Sequence, residues 1–125
     1  MVGWVGPREV AIGMSIGRAV LGGALLVAPA KTAEPWIGPE AALTASQVVI
    51  RAMGARDISL GLGTLVALRE ERVRPWLAAG VLADAADLVV TAIAGRALPP
   101  AGRTGVMALA AGATVAGLAL LRELR

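Results

Sequence analysis

The chain has 125 residues, enough for one domain and too few for a second core, and 57% of them are hydrophobic with a mean hydropathy of +0.73. That apolar share exceeds the ~45–50% of soluble domains and points to lipid as the surrounding solvent, while the formal charge of +3 is carried by arginines scattered among apolar runs and junctions without a basic stripe, which speaks against a nucleic-acid partner. Cys, His, Tyr and Phe are all absent, so thiol and imidazole chemistry drop out, the donor set is poor for zinc, copper or haem, and neither a metal nor a cofactor is expected.

The first apolar run extends from Val10 to Ala28, interrupted only by Ser15 and Arg18 and closed by Pro29. Its length matches the ~20 residues needed to cross a hydrocarbon core of about 30 Å. A cleaved secretory signal is the rival reading, since Ala28-Pro29-Ala30 loosely fits a small-x-small cleavage pattern, but Arg18 in mid-run is out of place in such a segment. The second run, Ala41 to Leu68, closes at Arg69-Glu70-Glu71-Arg72-Val73-Arg74. The third starts after Pro75, a favourable first helical residue, and continues to about Ala94. Leu98-Pro99-Pro100-Ala101-Gly102 reads as a turn before a fourth run over about Gly105 to Leu121. The expectation is a single all-α domain over residues 1–125, an integral membrane four-helix bundle with spans near 10–28, 41–68, 75–94 and 105–121. No internal repeat is evident.

Lys and Arg accumulate on the cytoplasmic flanks of membrane spans. With four spans, Arg8, Arg69, Arg72, Arg74, Arg122 and Arg125 share one side and Lys31, Arg96 and Arg103 the other. The asymmetry predicts a multi-pass protein of the cell membrane with both termini cytoplasmic. Trp4, Trp36 and Trp76 fall at or just outside span edges, where indoles sit at headgroup level.

Small side chains permit close backbone approach where helices lack a hydrophobic drive to associate. Gly13 and Gly17, with Ala24, mark one face of the first span, and Ala108, Gly112 and Ala116 one face of the fourth, flanked by Ala113 and Gly117. For the first span, packing within the bundle is the preferred reading over a homodimer seam; the charge-free fourth span is the better candidate for an outer or dimerising helix. Gly61-Leu62-Gly63 lies inside an apolar run and lacks the strand that a dinucleotide fingerprint requires.

Counting about 1.5 Å per residue brings Arg18, Asp57, Asp84 and Asp87 close to one level near the bilayer centre, with Arg56 beside Asp57 and Arg51 nearer the outer surface. Helical phase aligns Leu77, Gly80, Asp84, Asp87 and Thr91 on the third span, and Gln47, Arg51, Gly54, Asp57, Gly61 and Thr64 on the second. Arg18 shares a face with Met14, Ser15, Gly22 and Leu25, while Arg56, about 100° from Asp57, is expected to face a different neighbour. Three arginines balance three aspartates. A charge at a helix centre costs about 2.5–3.5 kcal/mol even on the lenient insertion scale, so pairing is close to obligatory, and neighbouring glycines leave room for a flat guanidinium to grip a carboxylate with two bonds.

The segment Arg51-Ala52-Met53-Gly54-Ala55-Arg56-Asp57-Ile58-Ser59-Leu60-Gly61, followed by Asp84 and Asp87, resembles a group of short, uncharacterised four-helix membrane proteins. They share a Gly-x-Arg-Asp/Glu-x-x-x-Gly segment in the second helix and an aspartate in the third. The resemblance covers about the middle half of the chain. It implies the four-helix fold, points to Gly54, Arg56, Asp57, Gly61, Asp84 and Asp87, and implies no activity.

Three functions remain open. The first is binding or transport of a small, partly apolar molecule, with Arg18, Arg51, Arg56, Gln47 and Thr91 as binding or ion-pair residues and a protonation switch at Asp84 or Asp87; two copies would enclose more volume than one. The second is a membrane-embedded enzyme in which Asp57, Asp84 and Asp87 supply acid/base chemistry for epoxide opening, cyclisation or isomerisation of a lipid-soluble substrate. Ser15 and Ser59 lack the neighbouring base that nucleophilic catalysis wants. The third is an accessory subunit whose ion pairs only hold helices together.

Overall fold

A computed structural model describes residues 5–125 and is all-helical there, without a strand among the described residues. Five α-helices follow in order: α1 (Pro7–Val27), α2 (Pro29–Ile37), α3 (Thr44–Arg69), α4 (Arg74–Ala94) and α5 (Pro100–Glu123), with short 3-10 turns at Pro39–Ala42 and Gly95–Ala97. Proline stands in the first turn of α1, α2, α4 and α5, where its missing N–H costs nothing and its fixed φ suits helix entry. Gly38 (φ 82°) ends α2 and Gly95 (φ 53°) ends α4 in conformations that a side chain would oppose.

The structure adds an element that periodicity did not reveal. The segment between the first two apolar runs is not a plain loop; it holds α2, a nine-residue helix, and the residues from Ala41 to Leu43 precede α3 rather than open it. Trp4 lies outside the described residues.

Helices α1, α4 and α5 are long and apolar enough to cross a membrane. At 26 residues α3 is long enough too, but it carries Arg51, Arg56 and Asp57 within its length. Large apolar side chains such as Val20, Val27, Leu82, Ile93, Leu109 and Val115 point outward, as they do when the surroundings are hydrocarbon.

Two antiparallel pairs organise the molecule. In the first, α1 and α3 approach to backbone contact: a β-carbon at Gly22 would sit 2.5 Å from the carbonyl oxygen of Gly54, one at Gly54 2.6 Å from that of Gly22, and one at Gly61 2.5 Å from that of Ser15. In the second, Gly117 of α5 receives Val81 of α4. Between the pairs, Trp76 of α4 lies flat over Gly63 of α3. Backbone carbonyls at the end nearest the termini are tied by arginines: Arg8 Nη1 donates to Leu68 O at 2.9 Å, and Arg74 Nη1 to Leu124 O at 3.1 Å and to Leu121 O.

The apolar core is split. One cluster (Ala11, Ala67, Leu68, Val73, Leu77, Leu120) fills the end nearest the termini, and a second (Leu25, Ala33, Ala41, Ile50) fills the other. Arg18, Arg56, Asp57, Asp84 and Asp87 occupy the layer between them.

Gly13 and Gly17 do not serve the internal packing expected of them. A β-carbon at either would meet nothing within 4 Å, because α3 packs on the Ala11, Ser15, Gly22 and Leu25 face of α1 instead. On α5, Gly112 is likewise open, whereas Ala110 and Gly117 are buried.

Candidate functional site

Four ion pairs join α1, α3 and α4 in the middle layer. Arg18 reaches down from α1 to Asp84 Oδ2 at 2.5 Å and to Asp57 Oδ1 at 3.6 Å. Arg56 holds Asp57 Oδ1 at 3.1 Å and Asp87 Oδ2 at 3.0 Å. Asp57 is the hub, touched by both guanidiniums. Its side chain is 6% exposed and that of Asp84 10%, so these two carboxylates are almost wholly withdrawn from the surroundings.

Local sequence explains why so much charge fits. Gly80, one turn before Asp84, leaves space that the Arg18 guanidinium fills, with Nη2 3.6 Å from where a β-carbon would stand. The helix contact through Gly22 and Gly54 draws α1 and α3 close enough for Arg18 to span to a carboxylate on each of α3 and α4. No buried polar side-chain atom among the described residues lacks a hydrogen-bond partner. Ser15 and Thr64 satisfy their hydroxyls on the carbonyls of Ala11 and Leu60, both at 2.7 Å.

Several expected members are elsewhere. Arg51 is exposed on α3 and forms no ion pair among the described residues; it lies on the opposite flank of the helix from Arg56. Gln47 turns back on the entry of its own helix, where Nε2 donates to Ala42 O at 2.9 Å. Thr91 is buried as the stripe on α4 requires, but it accepts a hydrogen bond from Trp36 Nε1 at 3.2 Å and so ties α2 to α4, one turn from Asp87. Arg56 does not face a separate neighbour, since its long side chain folds back to Asp57 while reaching Asp87.

These placements overturn the expected charge balance. With Arg51 outside, two guanidiniums serve three carboxylates, leaving one carboxylate in excess. Beside Arg18 and Asp84 lies a cavity of about 30 Å³, bounded by Met14, Ser15, Thr64, Trp76, Leu77 and Gly117 among others. That volume holds one or two water molecules. A wider groove of about 420 Å³ between α2 and α3, lined by Trp36, Ile37, Val49, Ile50 and Met53, contains no charged side chain.

No protein-family model, curated protein or solved structure matches the chain. The site is therefore read from its own chemistry. Three carboxylates bridged by two arginines, next to a water-sized space, can exchange a proton, and among the described residues they form no cluster spaced to hold a metal ion. They offer no nucleophile with an adjacent base, because the Ser15 and Ser59 hydroxyls are committed to carbonyls four residues back. Sequence inspection missed Trp36 and Trp76 as parts of this neighbourhood, having used them only as markers of the membrane surface. The glycine at 63, small enough to accept an indole, was the available signal for Trp76.

Proposed function

We propose that the protein is a four-span membrane bundle, with α3 crossing alongside α1, α4 and α5 and with both termini cytoplasmic, that binds or transports a small, partly apolar molecule at its Arg/Asp layer. The observation that carries this reading is the surplus carboxylate: Asp57, Asp84 and Asp87 share only Arg18 and Arg56. An uncompensated charge at that depth is costly, so the layer favours a positive visitor, either a proton or the charged end of a ligand. The placement of the layer also supports it. It lies where two closely packed helix pairs meet, and in transporters built of two halves the movement of one half against the other around a central site gives access from alternate sides.

The Arg56–Asp87 bridge from α3 to α4 joins two of the positions to which the resemblance to short four-helix membrane proteins points. Six basic residues at the end nearest the termini against three at the other support the orientation.

Thermal unfolding of the detergent-purified protein, with hexylamine and hexanol as probes, tests the reading. The amine, presenting a positive group on a short apolar tail, is expected to raise the midpoint, and hexanol to leave it unchanged. The amine's effect disappears in Asp57→Asn. Equal shifts from both probes, or none from either, overturn the reading.

A purely structural layer is the second reading, favoured by the closure of the network with every buried polar group partnered. It predicts that hexylamine has no effect. Acid/base catalysis by Asp57, Asp84 and Asp87 on a lipid-soluble substrate ranks third, because each of the three carboxylates is already held by a guanidinium and none stands free as a base.

A further inference from the structure

The charged layer is not evenly covered. Arg18, Asp57 and Asp84 are enclosed among α1, α3 and α4, but the Arg56 side chain is 33% exposed and that of Asp87 23%. They lie in the groove between α3 and α4, on the flank away from α1 and α5. In a bilayer this groove opens to hydrocarbon near mid-depth, where a half-covered ion pair is expensive.

The residues beside the pair are small or short. On α3, Ala52 and Ser59 stand four residues before and three after Arg56 and are exposed; on α4, Ala79 is exposed eight residues before Asp87 and Val90 three after. Helical periodicity puts these on the same flank as the charges, so another helix can come close there. The pair is also self-complementary. A twofold axis along the membrane normal keeps both copies in the same orientation and sets α3 of one against α4 of the other, with Arg56 facing its partner's carboxylate at the same level.

We propose that the α3/α4 groove is the contact between two copies of this chain, closed over a pair of Arg56–Asp87 bridges at its centre. Each copy covers the exposed edge of the other's ion pair, and the two charged layers become one continuous site. This assigns the seam to α3 and α4 rather than to the glycine face of α1 or to α5. It rests on the membrane reading of these helices and on no particular ligand.

The chain contains no cysteine, so single introduced thiols report contacts cleanly. Ala52→Cys and Val90→Cys, on differently tagged copies produced together, are at nearly one level across the proposed seam. Mild oxidation of isolated membranes is expected to convert up to about half of the chain, the share that random pairing puts in mixed dimers, into a cross-linked mixed dimer on a non-reducing gel. Copies carrying Leu109→Cys and Val115→Cys on α5, or Gly13→Cys and Gly17→Cys on α1, are expected to remain monomeric. Membrane-bound protein that cross-links nowhere, or only through α1 or α5, overturns the proposal alone. Recovery in the soluble fraction overturns the membrane reading and the proposal with it.

Discussion

Replacing Gly54 by alanine tests the helix contact that sets the width of the charged layer. The new methyl would stand 2.6 Å from the carbonyl oxygen of Gly22, 2.9 Å from the amide nitrogen of Leu26 and 3.1 Å from the Leu25 β-carbon. Ordinary contact begins at 3.4 Å, so α1 and α3 must part by about 0.8 Å, and the atoms in the way are backbone that cannot rotate aside. Overpacking of this kind costs about 1–3 kcal/mol. Alanine also favours a helix over glycine by up to about 1 kcal/mol. The comparison with Gly13→Ala cancels that gain, because the same residue is introduced in a helix interior where nothing lies within 4 Å. Unfolding by SDS in mixed micelles, followed by tryptophan fluorescence, should place Gly54→Ala about 1–3 kcal/mol below Gly13→Ala. Equal stability of the two variants, or a greater loss for Gly13→Ala, would refute the close packing of α1 on α3 through Gly54.

Arg18→Ala leaves Asp57 and Asp84 without their shared guanidinium and is expected to cost about 3–5 kcal/mol, seen as loss of folded protein from membranes and a lower unfolding midpoint. Arg18→Lys should recover only part, since one ammonium cannot reproduce a planar fork between two carboxylates. Arg51→Gln, by contrast, should change stability by no more than about 0.5 kcal/mol in the same assay, because the side chain is exposed and pairs with none of the three aspartates. Trp36→Phe removes the hydrogen bond to buried Thr91 and should lower stability by about 1–3 kcal/mol, a loss that Thr91→Val in the Trp36→Phe background partly restores.

The long helices were legible because apolar runs long enough to cross a membrane stand out by length and composition, and proline punctuates the entry of α1, α2, α4 and α5. Helical phase also identified the faces of α3 and α4 that carry Gly54, Asp57, Gly61 and Asp84 inward. What phase cannot supply is the path of a long side chain: Arg56 leaves its helix well away from Asp57 and folds back to it. Nor can it decide which end of a stripe is covered. Gln47 and Arg51 were grouped with Asp57 by spacing, but six residues turn Arg51 about 120° from Asp57 to an exposed flank, and Gln47 turns back to Ala42 O at the entry of α3. Short α2 escaped notice because nine residues with two prolines give no periodic signal. Glycines were read as contact surfaces by spacing alone, which chose Gly13 and Gly17; the contacts formed instead through Gly22, Gly54 and Gly61, where a partner helix is also glycine-bearing or small.

The surplus carboxylate is the central claim, and proton movement through reconstituted vesicles tests it most directly. Vesicles containing the purified protein and a trapped pH-sensitive dye, given a pH step and a permeant counter-ion, should equilibrate faster than empty vesicles. Asp57→Asn and Asp87→Asn should slow them to the empty-vesicle rate, while Arg51→Gln should not. Equilibration at the empty-vesicle rate with the native chain, or acceleration that survives Asp57→Asn or Asp87→Asn, would contradict proton passage through this layer.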